Sequence, residues 1–276
     1  MDSVNGLRIV GDRAGPEDAP CVILLHGGGQ TRHSWHGAFA TLAGEGFQVI
    51  SFDARGHGES DWSPAGAYAL TDRVADLRAI LDTVTTPFVL VGASLGGATA
   101  ICAVDAGVRP EGLVLVDIVP EPEPSGIRRI VDFMSAHQDG FATLEEAVEA
   151  VASYNPERRR SSNPQGLMKN LRERDDGRLY WHWDPLIVAL EPEIHHGAVQ
   201  AATESLQAKP DLPVLLVRGL TSDVVSDESV VKFRRQLPRL EVYDVEGAGH
   251  MVAGDRNDAF NTGVMNFARR ALGHDA

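Results

Sequence analysis

Short, nearly unbroken runs of valine, isoleucine and leucine recur along this chain at 22–25, 49–52, 88–91, 113–116 and 214–217. A strand with one wet face alternates apolar and polar residues, whereas a strand that is apolar throughout is buried on both faces. Between the runs lie stretches of helical character at 35–43, 72–83 and 98–106. Strands buried on both faces and alternating with helices predict right-handed βαβ units in a mostly parallel, doubly wound sheet. A further strand at 241–245 and a closing helix at 258–272 complete the pattern.

The rhythm breaks after Asp117. From Val119 the chain reads Val-Pro-Glu-Pro-Glu-Pro and then becomes amphipathic and helical, most clearly at 127–136 and 144–151. No strand is expected before about Lys209. The predicted organisation is an α/β core at 1–118 and 210–276 with a helical insertion at 119–209. Such an insertion is either a lid over a site or a helical extension packed on the surface.

The pentapeptide Gly92-Ala-Ser-Leu-Gly96 follows one apolar run and opens a helical one, which places a serine at the apex of a strand–turn–helix corner. A turn this tight needs small residues to relieve backbone crowding, and residues 92, 96 and 97 are all glycine. Its serine projects, open to a base on one side and a carbonyl on the other.

A serine hydroxyl is a weak nucleophile until an imidazole takes its proton, and that imidazole needs an acid on its other nitrogen. In strand–turn–helix serine enzymes the chain order is serine, acid, histidine. His250 lies in Glu246-Gly-Ala-Gly-His-Met251, after the 241–245 strand and before the last helix, where it can swing over the sheet edge. For the acid we expect Asp223, four residues beyond Val214-Leu-Leu-Val-Arg-Gly219. Asp117, which ends the preceding strand, is its rival, and Asp227 is read as a helix cap. Donors for the developing oxyanion are expected from the Leu95 backbone N–H and from His26-Gly-Gly-Gly29, with Gly28 first and Gly29 next. A glycine-rich turn can also cradle a phosphate, but neither GxGxxG nor GxxxxGK[ST] occurs. His26 is expected to brace the glycine loop.

These pieces together resemble the α/β-hydrolase superfamily, in its branch with a helical cap. The resemblance rests on Leu25-His-Gly-Gly-Gly with Trp35 beyond it, Phe52-Asp-Ala-Arg-Gly-His-Gly-Glu-Ser60, the 92–96 pentapeptide, Arg218-Gly-Leu-Thr-Ser-Asp223 and Gly247-Ala-Gly-His250. It implies an α/β-hydrolase fold with the cap inserted after the sixth strand of the usual scheme, and a structural role for Asp53, Arg55 and His57. Capped relatives that open epoxides or remove halide use an aspartate nucleophile. Position 94 is serine, which suits acyl chemistry.

The expected activity is hydrolysis of a small or medium carboxylic ester or lactone through an acyl-enzyme. Alternatives are C–C bond hydrolysis of a vinylogous diketone, a cofactor-free perhydrolase or haloperoxidase-like activity, and a non-catalytic ligand receptor. No cofactor or metal is expected. In the insertion, Trp181, Trp183, Phe133 and Met134 either line a substrate pocket or anchor the lid.

A formal net charge of −14 disfavours a nucleic-acid partner, since phosphate binding needs clustered Lys and Arg. No apolar run approaches the roughly 20 residues of a membrane span. With no signal-peptide pattern at the start and only two cysteines, a cytoplasmic location is expected.

Overall fold

The structure is a computed structural model that describes residues 6–154, 164–189, 192–252 and 257–274, without the side chains of 192–195 and 257. In chain order its elements are β1 (Gly11–Ala14), β2 (Cys21–Leu25), α1 (His36–Gly44), β3 (Gln48–Phe52), α2 (Leu70–Leu81), β4 (Phe88–Ala93), α3 (Leu95–Asp105) and β5 (Gly112–Val116). Then come α4 (Pro124–Ser135), α5 (Leu144–Tyr154), β6 (Leu171–Glu173), β7 (Leu179–Trp181) and α6 (Pro192–Gln207). The chain finishes with β8 (Val214–Gly219), α7 (Asp227–Gln236), β9 (Glu241–Val245) and α8 (Asn257–Leu272).

Seven strands form one sheet in the order β1-β3-β2-β4-β5-β8-β9, antiparallel only between β1 and β3. The apolar runs are the central strands, and every residue of β2, β5 and β8 is buried. Alternate residues serve opposite faces. Ile23 and Leu25 join a core that includes side chains of α2, α3, α6 and α7, while Val22 and Leu24 join one that includes side chains of α1 and α8. On the latter side Trp35 packs against Phe260 at 5.7 Å between ring centroids.

Five sheet strands precede the insertion among the described residues. The insertion is not free of strands: β6 and β7 form an antiparallel hairpin, and Phe141 extends it by a bridge to Leu179. A third cluster, with Met134, Phe141, Ala147, Trp181, Trp183 and Ile187, fills its interior. α6 lies within the stretch expected to be cap, yet its Val199, Ala202 and Leu206 are buried in the same core as α3.

From β2 the chain passes to β3 on one side and later to β4 on the other, so the loops after β2 and β4 diverge. That divergence at the carboxyl ends of neighbouring strands is where open α/β sheets leave a crevice. The crevice floor is very tight. A Cβ on Gly96 would lie 2.2 Å from the Leu25 carbonyl oxygen, and one on Gly92 would lie 2.5 Å from the Gly96 carbonyl oxygen. Ser94, between them, sits at φ 46°, ψ −114°, a conformation that L-residues hold only under strain.

Gly96→Ala therefore has to push β2 and the 92–96 turn apart. We expect a loss of stability of about 3 kcal/mol, as for core overpacking, read as a lower urea midpoint at unchanged m-value.

Candidate active site

Ser94 projects from its corner at the carboxyl edge of β4, where its backbone N–H donates to Val116 O (3.1 Å). The next strand along, β5, ends at Val116, and Asp117 follows at φ 50° with no exposed surface. Its carboxylate takes three hydrogen bonds: Oδ1 from the Gly219 N–H (3.1 Å), and Oδ2 from the Ser222 hydroxyl (2.5 Å) and from His250 Nδ1 (2.7 Å). An ionised carboxylate can be buried when its oxygens are met in this way. His250 stands on the loop after β9, and it, Asp117 and Ser94 line one cavity.

Asp223 was expected against His250, and the structure places it elsewhere. It pairs with Arg129 on α4 at 3.0 Å. The cause is local geometry. After β8 the chain turns back, with the Ser222 N–H donating to Gly219 O, so the Ser222 hydroxyl faces inward to Asp117. The rival expectation, Asp117, is the residue beside the imidazole. Asp227 is likewise not a cap. Ser226 caps α7 by accepting from the Ser229 N–H, and Asp227 pairs with Arg218 at 2.5 Å.

The loop after β2 faces Ser94: a Cβ on Gly27 would lie 3.4 Å from the Ser94 Cβ. Its N–H groups have different fates. That of Gly27 donates to Gln30 Oε1 (3.1 Å) and that of Gly29 to His57 Nε2 (3.1 Å). The Gly28 N–H is left between them for the crevice, which favours Gly28 over Gly29. Leu95 opens α3, so its N–H is one of the first-turn donors that no intrahelical carbonyl meets.

The cavity has a volume of about 330 Å³. Phe133, Met134, Trp181 and Trp183 all line it. The two tryptophans stack at 4.8 Å and 11°, on one side of the chain as strand alternation places residues two apart. Both tryptophans belong to the insertion's own core as well, so pocket lining and anchoring coincide. Sequence reasoning missed Ile127, Ile130 and Val131 on this wall. Their signal was present: with Met134 they form an apolar stripe at helical spacing on α4. No Lys or Arg lines the cavity among the described residues.

Beneath the glycine loop lie His26, His57 and His182, all buried. His26 braces the loop as expected, accepting from the Ala54 N–H at Nε2 (2.9 Å) and donating from Nδ1 to Gly27 O (2.8 Å). Asp53 and Arg55 are held in the turn below. Asp53 accepts from the N–H groups of Arg32 (2.7 Å) and Glu59 (2.9 Å), and Arg55 binds Asp76 through two nitrogens at 2.6 and 2.7 Å. Burial pushes all three imidazoles below the ordinary histidine range, His182 to about 3, so they are neutral at pH 7. No group of three or more His, Cys, Asp or Glu side chains fit to hold a metal ion occurs among the described residues.

These shifts set an acid sensitivity. Unfolded imidazoles bind protons as pH falls through 6.5, and the folded ones do so only at lower pH, His182 at about 3. The unfolded state thus holds more protons in that window, and stability must fall as pH falls. We expect the unfolding free energy to decline from about pH 6.5 downward by up to roughly 1.4 kcal/mol per pH unit for each such histidine. A flat profile between pH 7 and 5 in urea titrations would contradict neutral burial.

Comparison with known proteins agrees with this architecture. A family model described as "Alpha/beta hydrolase family" matches residues 22–262. The chain is 31% identical to Esterase Rv0045c of Mycobacterium tuberculosis over 254 residues, covering 86% of this chain and 79% of the esterase. It is 29% identical to the sn-1-specific diacylglycerol lipase ABHD11 of Mus musculus over 271 residues, covering 92% of this chain and 82% of the lipase. Among solved structures, E-2-(acetamidomethylene)succinate hydrolase superposes with a TM-score of 0.82 at 23% identity, covering 95% of this chain and 96% of that one, a likeness of fold alone. With the fold, the serine corner and a match spanning most of its length, the chain belongs to the alpha/beta hydrolase family and is a hydrolase.

Proposed function

We propose that the protein hydrolyses carboxylic esters, open-chain or lactone, with a neutral and apolar acyl group. The observation that carries this reading is the 2.7 Å contact of His250 with buried Asp117 at the cavity that Ser94 also lines. Similarity to an esterase and to a diacylglycerol lipase supports the choice of ester bonds.

In this mechanism the Ser94 hydroxyl attacks the ester carbonyl and His250 takes its proton through Nε2. Asp117 accepts the Nδ1 hydrogen bond, which fixes the tautomer and stabilises the imidazolium that forms. The backbone N–H groups of Gly28 and Leu95 receive the oxyanion. His250 then protonates the departing alkoxide, leaving an ester between Ser94 and the acyl group. Water, deprotonated by the same imidazole, attacks that ester and releases the acid and free serine. Carbonyl, serine and water supply every atom in these steps.

The cavity wall supplies selectivity. Trp181, Trp183, Ile130 and Met134 offer dispersion contacts to an acyl group and no partner for a charge. A carboxylate carried against that wall would lose hydration and meet no lysine or arginine among the described residues.

Four measurements test this reading. Ser94→Ala should abolish turnover of p-nitrophenyl butyrate, and unchanged turnover would refute the mechanism. Asp117→Asn should lower kcat on the order of 10⁴-fold, as loss of the tautomer-fixing acid does in serine proteases. Asp223→Asn, which breaks a half-exposed ion pair, should change kcat by less than about 3-fold. In an acyl panel, p-nitrophenyl hexanoate should exceed the p-nitrophenyl monoester of succinate in kcat/KM by at least about 10-fold, the charge being unpaired in the cavity.

A further inference from the structure

Each of three successive peptide groups in the glycine loop is held by a different imidazole. The Gly27 carbonyl accepts from His26 Nδ1 (2.8 Å), the Gly29 N–H donates to His57 Nε2 (3.1 Å), and the Gly29 carbonyl lies 3.3 Å from His182 Nε2. The rings pack in sequence, with centroids 5.1 Å apart for His26 and His57 and 5.9 Å for His57 and His182. Backbone donors dictate the tautomers. Ala54 and Gly29 donate to Nε2 of His26 and His57, so those two rings carry their proton on Nδ1. Gly58 donates its N–H to His182 Nδ1 at 2.7 Å, so that ring carries its proton on Nε2 and gives it to Gly29.

In a trans peptide the N–H points opposite to the carbonyl of the preceding residue. Fixing the Gly27 carbonyl therefore aims the Gly28 N–H, and fixing both polar groups of Gly29 stops the next two peptides from rotating it away. Two of the three holding imidazoles come from the core. His182 comes from the cap, directly after β7, between the two tryptophans that line the cavity. It stands edge-on to Trp183 at 5.3 Å, and the Trp183 ring would meet a Cβ on Gly29 at 3.5 Å.

We propose that His182 is a positioning residue through which the cap sets the aim of the Gly28 N–H. The inference rests on the ester-hydrolase reading, in which that N–H receives the oxyanion. Because the oxyanion exists only at the transition state and in the tetrahedral intermediate, a mis-aimed donor costs turnover and not substrate binding.

His182→Asn and His182→Gln separate this role from simple packing. Asparagine can keep the contact with the Gly58 N–H through Oδ1 but is too short to reach Gly29. Glutamine places an amide N–H near the Nε2 position and restores the donor. With p-nitrophenyl butyrate, the Asn variant should lose about 10- to 100-fold in kcat, with KM within about 3-fold of the parent, and Gln should recover most of the loss. Equal losses in the two variants, a change confined to KM, or parental kcat in the Asn variant would each overturn the proposal. Ring ¹⁵N shifts of the unaltered protein give an independent readout, independent of variant folding: His182 should be protonated on Nε2 and His57 on Nδ1, and the opposite assignment for His182 overturns it. Ser94→Ala, assayed in parallel, keeps the two ideas apart. Parental activity there refutes the ester-hydrolase reading, whereas an inactive Ser94→Ala beside an unaffected Asn variant refutes only the role of His182.

Discussion

Everything in the site depends on how closely the turn after β4 approaches the end of β2. With Gly96 lying almost against the Leu25 carbonyl, the Ser94 hydroxyl, the first N–H groups of α3 and the glycine loop are drawn into one small volume. The two strands meet at the sheet's topological switch point, where their following loops part and leave that volume open. The strain at Ser94 is sustained by burial around it, since the strand before it and the helix after it lie in the core.

Burial also decides which charges the site keeps. Asp117 is fully enclosed yet has three hydrogen-bond donors. The three imidazoles behind the loop are enclosed and neutral, each spending its two ring nitrogens on backbone groups. Negative charge is thus concentrated behind His250, and the loop that would receive an oxyanion is backed by uncharged rings. An arginine or lysine in their place would attract anions to the crevice at all times. Neutral dipoles preorganise the loop without competing for a negatively charged ligand.

Much of this could be read from the residues, and the misses have definite causes. Central strands were evident because burial on both faces leaves an uninterrupted apolar run. β1 was not, since Gly-Asp-Arg-Ala at a sheet edge carries charge and stays partly exposed. The β6–β7 hairpin was overlooked although Asp176-Gly177 between its strands is a hairpin signal, because the strands are only three residues each. The serine and histidine were evident because each sits in a distinctive glycine-rich corner. Choosing between Asp117 and Asp223 required knowing that β5 and β8 are neighbours and that the chain doubles back at Ser222. That knowledge is tertiary. His182 carried no sequence signal of its bond to Gly29, a contact across 153 positions.

Asp223 has another employment, as the core's partner for Arg129 at the start of the cap, beside the contacts of Glu123 with Val224 and Ser226. In the proposed mechanism, chemistry and cap attachment then rest on different carboxylates. The parts can diverge independently: changes in α4 and its docking loop can reshape what enters the cavity while Asp117, on a buried strand end, keeps the imidazole in place. For anyone redesigning selectivity, the Arg129–Asp223 junction is a seam along which a cap could be exchanged without disturbing the contact of Asp117 with His250.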